Sequence, residues 1–285
     1  MYSKRCRYQF SALFSLAWHC STYYFMIQQQ FVNKALETIK KDVSIIGLAV
    51  GGSWLTNEVD EYSDLDLILV TKEKISDDPV KMLKYASSFG TLLSGFTGEH
   101  VGEPRLLICL YDDPLLHVDI KFLTLPEFYF RVEDPVILHD TDRQLKDILS
   151  KTDAKYPFLD YQWIEDRFWI WMHYATLKIG RGELLEAFDF LSYIRMIVLS
   201  PLLQVKNGDL PRGVRKVEMN LATDDLSKLM LTIAKYDRAS IIAALEASIK
   251  LYRELRQQLF PKEIKIQIET ELKAIEYLQI IKAKN

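Results

Sequence analysis

Apolar and polar positions fall into two regimes along the chain. Up to about residue 155 the apolar residues come in short runs separated by polar or turn-forming breaks; beyond it they recur at helical spacing. Residues 26–42, MIQQQFVNKALETIKKD, put Phe31, Ala35, Leu36 and Ile39 on one helical face. Ile45 to Val50 and Leu65 to Val70 have the length and aliphatic content of buried strands. The pattern then predicts a helix over 79–89, a strand over 105–111, a turn at Asp112-Asp113-Pro114 and a strand over 116–123. A short helix opens at Leu125-Pro126-Glu127, and Pro135 to His139 reads as one more strand. Together these make a small mixed sheet with helices, an α/β unit.

After residue 155 the strand pattern stops. Asp160 to Lys178 is apolar almost all round, through Trp163, Phe168, Trp169, Trp171, Met172 and Tyr174, which predicts a buried helix broken at Gly180 and Gly182. Aromatic residues at that spacing are core more often than ligand platforms. Glu183 to Leu199 predicts the next helix, with Leu184, Phe188, Leu191 and Ile194 facing a core and Pro201 closing it. Asn207-Gly208 and Pro211-Arg212-Gly213 are loops, followed by helices over about 224–236, 238–259 and 263–282. The expected architecture is an α/β domain over 26–154 and an all-helical domain over 155–285.

The first 25 residues stand outside this scheme. Lys4, Arg5 and Arg7 precede an apolar stretch from Phe10 to Trp18, which imitates a signal peptide. The stretch is short, no small-residue cleavage site follows, and it cannot span a bilayer. Residues 1–25 are therefore expected to be an appendage upstream of a translation start at Met26.

Charge narrows the class of function. The net charge is −3, with 16 basic and 22 acidic residues in 1–154 and 20 and 17 in 155–285. Neither half has the basic excess of a nucleic-acid-binding surface. Cys6, Cys20 and Cys109 are an odd number without metal-ligand spacing, as expected of reduced thiols in a cytoplasmic protein. The five histidines form no local cluster that suggests zinc or a Ser-His-Asp hydrolase.

The candidate chemistry lies between the first two strands. Gly51-Gly52-Ser53 leaves the first strand, and Asp64-Leu65-Asp66 opens the second. A Gly-Ser turn lets backbone N–H groups approach an anion, with Ser53 able to donate to a phosphate oxygen. Asp64 and Asp66 are two apart on a strand and share a face, where their mutual repulsion calls for a hard cation such as Mg²⁺. A third carboxylate, Asp119, alternates against Val118 and Ile120 on a later strand.

Gly-Ser, ten residues and Asp-x-Asp, with the later Asp119, resemble the nucleotidyltransferase superfamily that includes DNA polymerase beta. From Met26 onward the chain looks like the aminoglycoside 6-adenylyltransferases, the streptomycin-modifying branch. Leu110-Tyr111-Asp112-Asp113 before His117-Val118-Asp119-Ile120, then Leu125-Pro126-Glu127-Phe128 and Val136-Ile137-Leu138-His139-Asp140, are similar to that branch in style and spacing. So are Glu165-Asp166-Arg167-Phe168-Trp169 and the segment from Lys178 to Ala187, while Trp54 after Gly-Ser is bulkier than the branch leads one to expect.

The resemblance implies transfer of a nucleoside monophosphate, AMP from ATP, to a hydroxyl of a small molecule with release of pyrophosphate. Asp64, Asp66 and Asp119 would hold two Mg²⁺ ions, about 3.5–4 Å apart in such sites, with Asp119 the first candidate for the base. Gly52, Ser53, Lys178 and Arg181 would meet the triphosphate, and Glu165, Asp166 and Glu183 a cationic acceptor such as streptomycin. Residues 156–195 hold six acidic and four basic side chains, a mild bias that solvated helix faces explain nearly as well. A protein AMP-transferase, another small-molecule acceptor and a catalytically silent nucleotide-binding regulator stay open. An RNA nucleotidyltransferase is disfavoured for want of a basic or aromatic groove. No membrane partner is expected, and oligomeric state is not legible.

Overall fold

The computed structural model describes residues 27–284, so the expectations for residues 1–25, Cys6 and Cys20 lie outside the described residues. The chain divides into two compact units, the first ending at Tyr156 and the second beginning at Pro157.

The first unit opens with helix α1, residues 27–39, and strands β1 (Ile45–Val50) and β2 (Leu65–Thr71). Helix α2 (Pro79–Phe89) begins where Asp78 accepts the backbone N–H groups of Val80 and Lys81. Strands β3 (Thr91–Gly98), β4 (Glu103–Asp112) and β5 (Leu116–Thr124) follow, then helix α3 (Leu125–Phe128), β6 (Val136–Asp140) and helix α4 (Gln144–Lys151). The six strands form one mixed sheet in the order β3-β4-β5-β2-β1-β6. Only β2 and β5 pair in parallel; the other neighbours run antiparallel.

Strand alternation sends side chains to two faces of this sheet. On one face, Leu48, Leu67, Leu107, Val118 and Ile120 pack with Val32, Ala35 and Ile39 of α1 and Met82, Ala86 and Phe89 of α2. On the other, Val70 and Leu123 pack with Phe128 of α3 and Leu145 and Ile148 of α4. That second cover reaches only the ends of β2 and β5 far from Asp66 and Asp119. Cys109 is buried on the first face, and burial pushes its thiol up to about 12, which makes it inert.

Strand β3 is absent from the sequence reading. Its residues TLLSGFTG are glycine- and threonine-rich, and it pairs along β4 as an edge strand. Strands β4 and β5, inside the sheet, carry an ion cluster. Glu103 accepts Arg105 Nε at 2.6 Å and meets Lys121 Nζ at 2.7 Å. Arg105 and Lys121 hold the Glu103 carboxyl down at about 2. Its folded pKa lies below the unfolded one, so its contribution is full above about pH 4.5 and is lost as pH falls towards 2. Glu103→Gln is therefore expected to cost about 1–2 kcal/mol at pH 7. The gap between variant and wild type should close as acid unfolding is followed downward from pH 5. An equal gap at both ends of that range would remove the cluster from the account.

The second unit is helical. Asp160 caps α5 (Tyr161–Arg181) by accepting Trp163 N–H, and Gly182 ends it at φ +78°, the left-handed region that favours glycine. Gly180, expected to break this helix, lies inside it. Helix α6 (Leu184–Ile194) runs through a π turn at Arg195–Leu199 into α7 (Ser200–Lys206). Pro201 does not close the helix as expected: it lies in the first turn of α7, where a missing N–H is tolerated. Helices α8 (Val217–Asn220), α9 (Thr223–Met230), α10 (Arg238–Leu259) and α11 (Ile268–Ala283) complete the unit. The run Leu184–Lys206 is long and apolar enough to cross a membrane, yet Leu191, Ile194, Leu199 and Leu203 are buried in this unit's core. Helix α5 is less buried than its composition suggests. Phe168, Trp169 and Met172 are in the core, while Trp163, Ile170 and Tyr174 keep solvent exposure.

Candidate active site

The parallel pairing of β2 with β5 brings the predicted carboxylates together. Asp66 and Asp119 are register partners on adjacent strands, on the open end of the face that α3 and α4 cover further along. Neighbouring strands are about 4.8 Å apart, so the two side chains leave the sheet side by side. Asp64 precedes β2, two residues from Asp66. Asp119 has its pKa raised, chiefly by burial, with the Asp64 charge adding to the rise and His117 opposing it. His117 Nε2 lies 3.0 Å from Asp119 Oδ1.

The glycine turn stands against the same carboxylates. Gly51 N–H donates to the Asp66 carbonyl at 2.9 Å, tying the end of β1 to the start of β2. Gly52 has φ +62°, and a Cβ there would stand 1.9 Å from Asp66 Oδ2. Both the conformation and the approach demand glycine. Ser53 and Trp54 follow in a short 3-10 turn, and Trp54 packs on the main core of this unit. The bulky residue after Gly-Ser is thus used as an anchor.

Two participants were missing from the sequence reading. Glu133, in the segment before β6, accepts the Gly52 N–H through Oε1 at 2.9 Å. Nothing local in Val132-Glu133-Asp134 marks it; only the pairing of β6 beside β1 carries it to the turn. His117 could have been found, since it is two residues from Asp119 on one strand face. Across the sheet, Asp119 is also the partner of Ile108, and Ile108 of Phe96, which is 54% exposed. An apolar floor therefore continues the row of carboxylates away from the glycine turn.

Among the described residues no three His, Cys, Asp or Glu side chains converge closely enough to hold a metal ion as they stand. The donor set fits Mg²⁺ nonetheless. Asp66 and Asp119 offer hard oxygen ligands from adjacent strands, and the burial that chiefly raises the Asp119 pKa is a cost to its charge that a bound cation would offset.

The helical candidates are engaged within their own unit. Lys178 Nζ is 2.6 Å from Glu183 and 2.9 Å from Glu186, which raises its pKa, and it lies over the Tyr174 ring. Arg181, mostly exposed, is 3.6 Å from Glu183. Asp166 accepts Gln162 and Gln267 side-chain amides, each at 2.8 Å. Glu165 is 0% exposed. It accepts Gln267 N–H at 2.9 Å, Arg256 at 3.0 Å, Tyr252 OH at 2.5 Å and Trp169 Nε1 at 3.3 Å. Its oxygens are consumed in the helical core, which corrects its expected place at the acceptor.

Residues 32–137 match the family model described as a nucleotidyltransferase domain. No curated protein matches the chain. Among solved structures, an aminoglycoside 6-adenyltransferase from Bacillus subtilis is similar at 14% identity and a TM-score of 0.39, covering 90% of this chain and 99% of that one. A nucleotidyltransferase-like protein from Exiguobacterium sibiricum 255-15 is similar at 11% identity and a TM-score of 0.37, covering 86% and 78%.

Proposed function

We propose that the nucleotidyltransferase domain this chain carries transfers AMP from ATP to a hydroxyl of a small molecule, releasing pyrophosphate. The observation that supports this most is the side-by-side placement of Asp66 and Asp119 next to a glycine turn that a Cβ would fill. Mg²⁺ bound by Asp64, Asp66 and Asp119 would supply charge neutralisation at the α-phosphate and the leaving group. Gly52 N–H and the Ser53 hydroxyl would orient the β- or γ-phosphate at the β1 end of the row.

Asp119 would take the proton of the attacking hydroxyl. Burial raises its pKa, which improves it as a proton acceptor, and His117 at 3.0 Å fixes its orientation. In-line attack sets the hydroxyl opposite the pyrophosphate, hence beyond Asp119, over Ile108 and Phe96. That floor is apolar, suited to the CH face of a ring beside the reacting hydroxyl.

An aminoglycoside acceptor of the streptomycin type follows from the sequence resemblance. Lys178 and Arg181 toward the triphosphate, and Asp166 and Glu183 toward cationic groups of the acceptor, belong to the same reading and would have to exchange their present ion pairs and hydrogen bonds for ligand contacts. The cytoplasm is the compartment that supplies ATP to such a reaction.

Incubation of the full chain with each α-labelled NTP, Mg²⁺ and a panel of aminoglycosides tests the proposal. Labelled drug with ATP is the expected result. Label on protein would move the acceptor to a side-chain hydroxyl, and tight NTP binding without turnover would leave a silent regulator. Absence of both binding and turnover sinks the reading.

A further inference from the structure

The turn assigned to the triphosphate already holds an anion of the chain's own. Glu133 Oε1 accepts the Gly52 N–H at 2.9 Å, and a Cβ on Gly51 would stand 2.7 Å from that same oxygen. A backbone N–H has one hydrogen to give. A carboxylate and a phosphate oxygen cannot both take it at full strength. The two are chemically alike in what they ask of the turn, a close approach unobstructed by side chain and a directed N–H.

We infer that Glu133 is a carboxylate latch on the phosphate seat, which must leave the Gly51–Gly52 turn before the nucleotide's triphosphate can occupy it. The inference rests on the nucleotidyl-transfer reading of this turn. The way out is a side-chain rotation. Glu133 lies in the segment without regular structure that precedes β6, and its neighbours are pinned. Arg131 donates to Asp134 at 2.6 Å and to the Thr152 hydroxyl at 2.7 Å, and Pro135 is buried. The backbone is thus held, and release is a change of rotamer in the long half-buried side chain.

The latch has a chemical consequence for selectivity. Water competes poorly with a carboxylate for an N–H, whereas a polyphosphate brings several charged acceptors at once. With Glu133 in place the turn resists single weak anions and yields to a multiply charged ligand. Swinging out leaves its charge near Asp66, whose Oδ2 faces Gly52, so release is eased when a cation accompanies the phosphate.

The test is an equilibrium titration of the full chain with MgATP and separately with Mg-tripolyphosphate, for wild type, E133A, E133Q and E133D. E133A is expected to bind both ligands roughly tenfold more tightly, because the competing charged hydrogen bond is gone. E133Q, which keeps an acceptor without the charge, should fall between. E133D keeps the charge one methylene short of the turn, and tighter binding there as well separates occupancy of the seat from long-range repulsion. In ligand-free E133A the Gly52 amide should also exchange faster with solvent. Folded E133A that binds MgATP no more tightly than wild type, or more weakly, overturns the latch and leaves the transferase reading standing. Failure of wild type and every variant to bind either ligand overturns both.

Discussion

Replacing Asp66 by alanine is expected to lower AMP transfer by on the order of a thousandfold while the α/β unit stays folded. Asp66 is the centre of the row: it pairs with Asp119 across the β2–β5 ladder, its carbonyl holds Gly51, and its Oδ2 lies against Gly52. The backbone contacts survive the substitution because they do not use the side chain. Asp119→Asn should match it in lost turnover with ATP affinity nearly unchanged, since the amide keeps the shape and loses both the charge and the proton-accepting oxygen. Burial and Asp64 already disfavour the Asp119 charge, so in the presence of a chelator the Asp119→Asn Tm should equal or exceed that of wild type. Steady-state rates and thermal melts of both variants decide the matter. Near wild-type turnover in either would remove the carboxylate row from catalysis, and a defect confined to ATP affinity in Asp119→Asn would place that residue on the nucleotide.

Glu165→Ala should cost about 3–5 kcal/mol of stability, the expected range when one partner of a buried charged pair is removed. The carboxylate gathers four donors from three parts of the helical unit. Trp169 is on its own helix, Tyr252 and Arg256 are on α10, and Gln267 leads into α11. Without it Arg256 keeps Glu271 at 2.8 Å, but the Tyr252 hydroxyl and the Gln267 N–H lose the acceptor they share. Such groups are costly to leave unmatched in an interior where Phe168 and Tyr252 stack at 3.6 Å between ring centroids. Denaturant unfolding of Glu165→Ala, followed by tryptophan fluorescence, measures the loss. A variant with wild-type stability and a raised acceptor KM would restore Glu165 to the acceptor site.

The two predictions divide what the sequence made visible from what it did not. The common face of Asp66 and Asp119 is legible because a strand's period of two fixes it, and aliphatic neighbours such as Leu67 and Ile120 fix the strands; Asp64 lies just ahead of β2. The glycine turn is legible for the same local reason. Glu165 was misassigned because a carboxylate among aromatic residues reads the same whether it faces a ligand or a buried arginine; Arg256 is far along the chain, and no local spacing ties the two. Glu133 escaped for an equivalent cause, its role being set by β6 lying beside β1. Strand β3 was hidden by composition, and the helix through Pro201 by a rule for helix ends that a π turn sidesteps. For Glu165 and Glu133 the missing information is a partner distant in sequence, whereas for β3 and Pro201 it is local.

The parallel ladder also dictates when the carboxylate row can exist. Strands β2 and β5 are joined by residues 72–115, a crossover that itself contains α2, β3 and β4. A ribosome that has released the chain as far as β4 has delivered Asp64 and Asp66 without their counterpart. Closing the crossover costs chain entropy before any contact repays it. The juxtaposition of Asp66 and Asp119 is therefore absent from the nascent chain and arises only in the finished sheet, once β5 has docked beside β2.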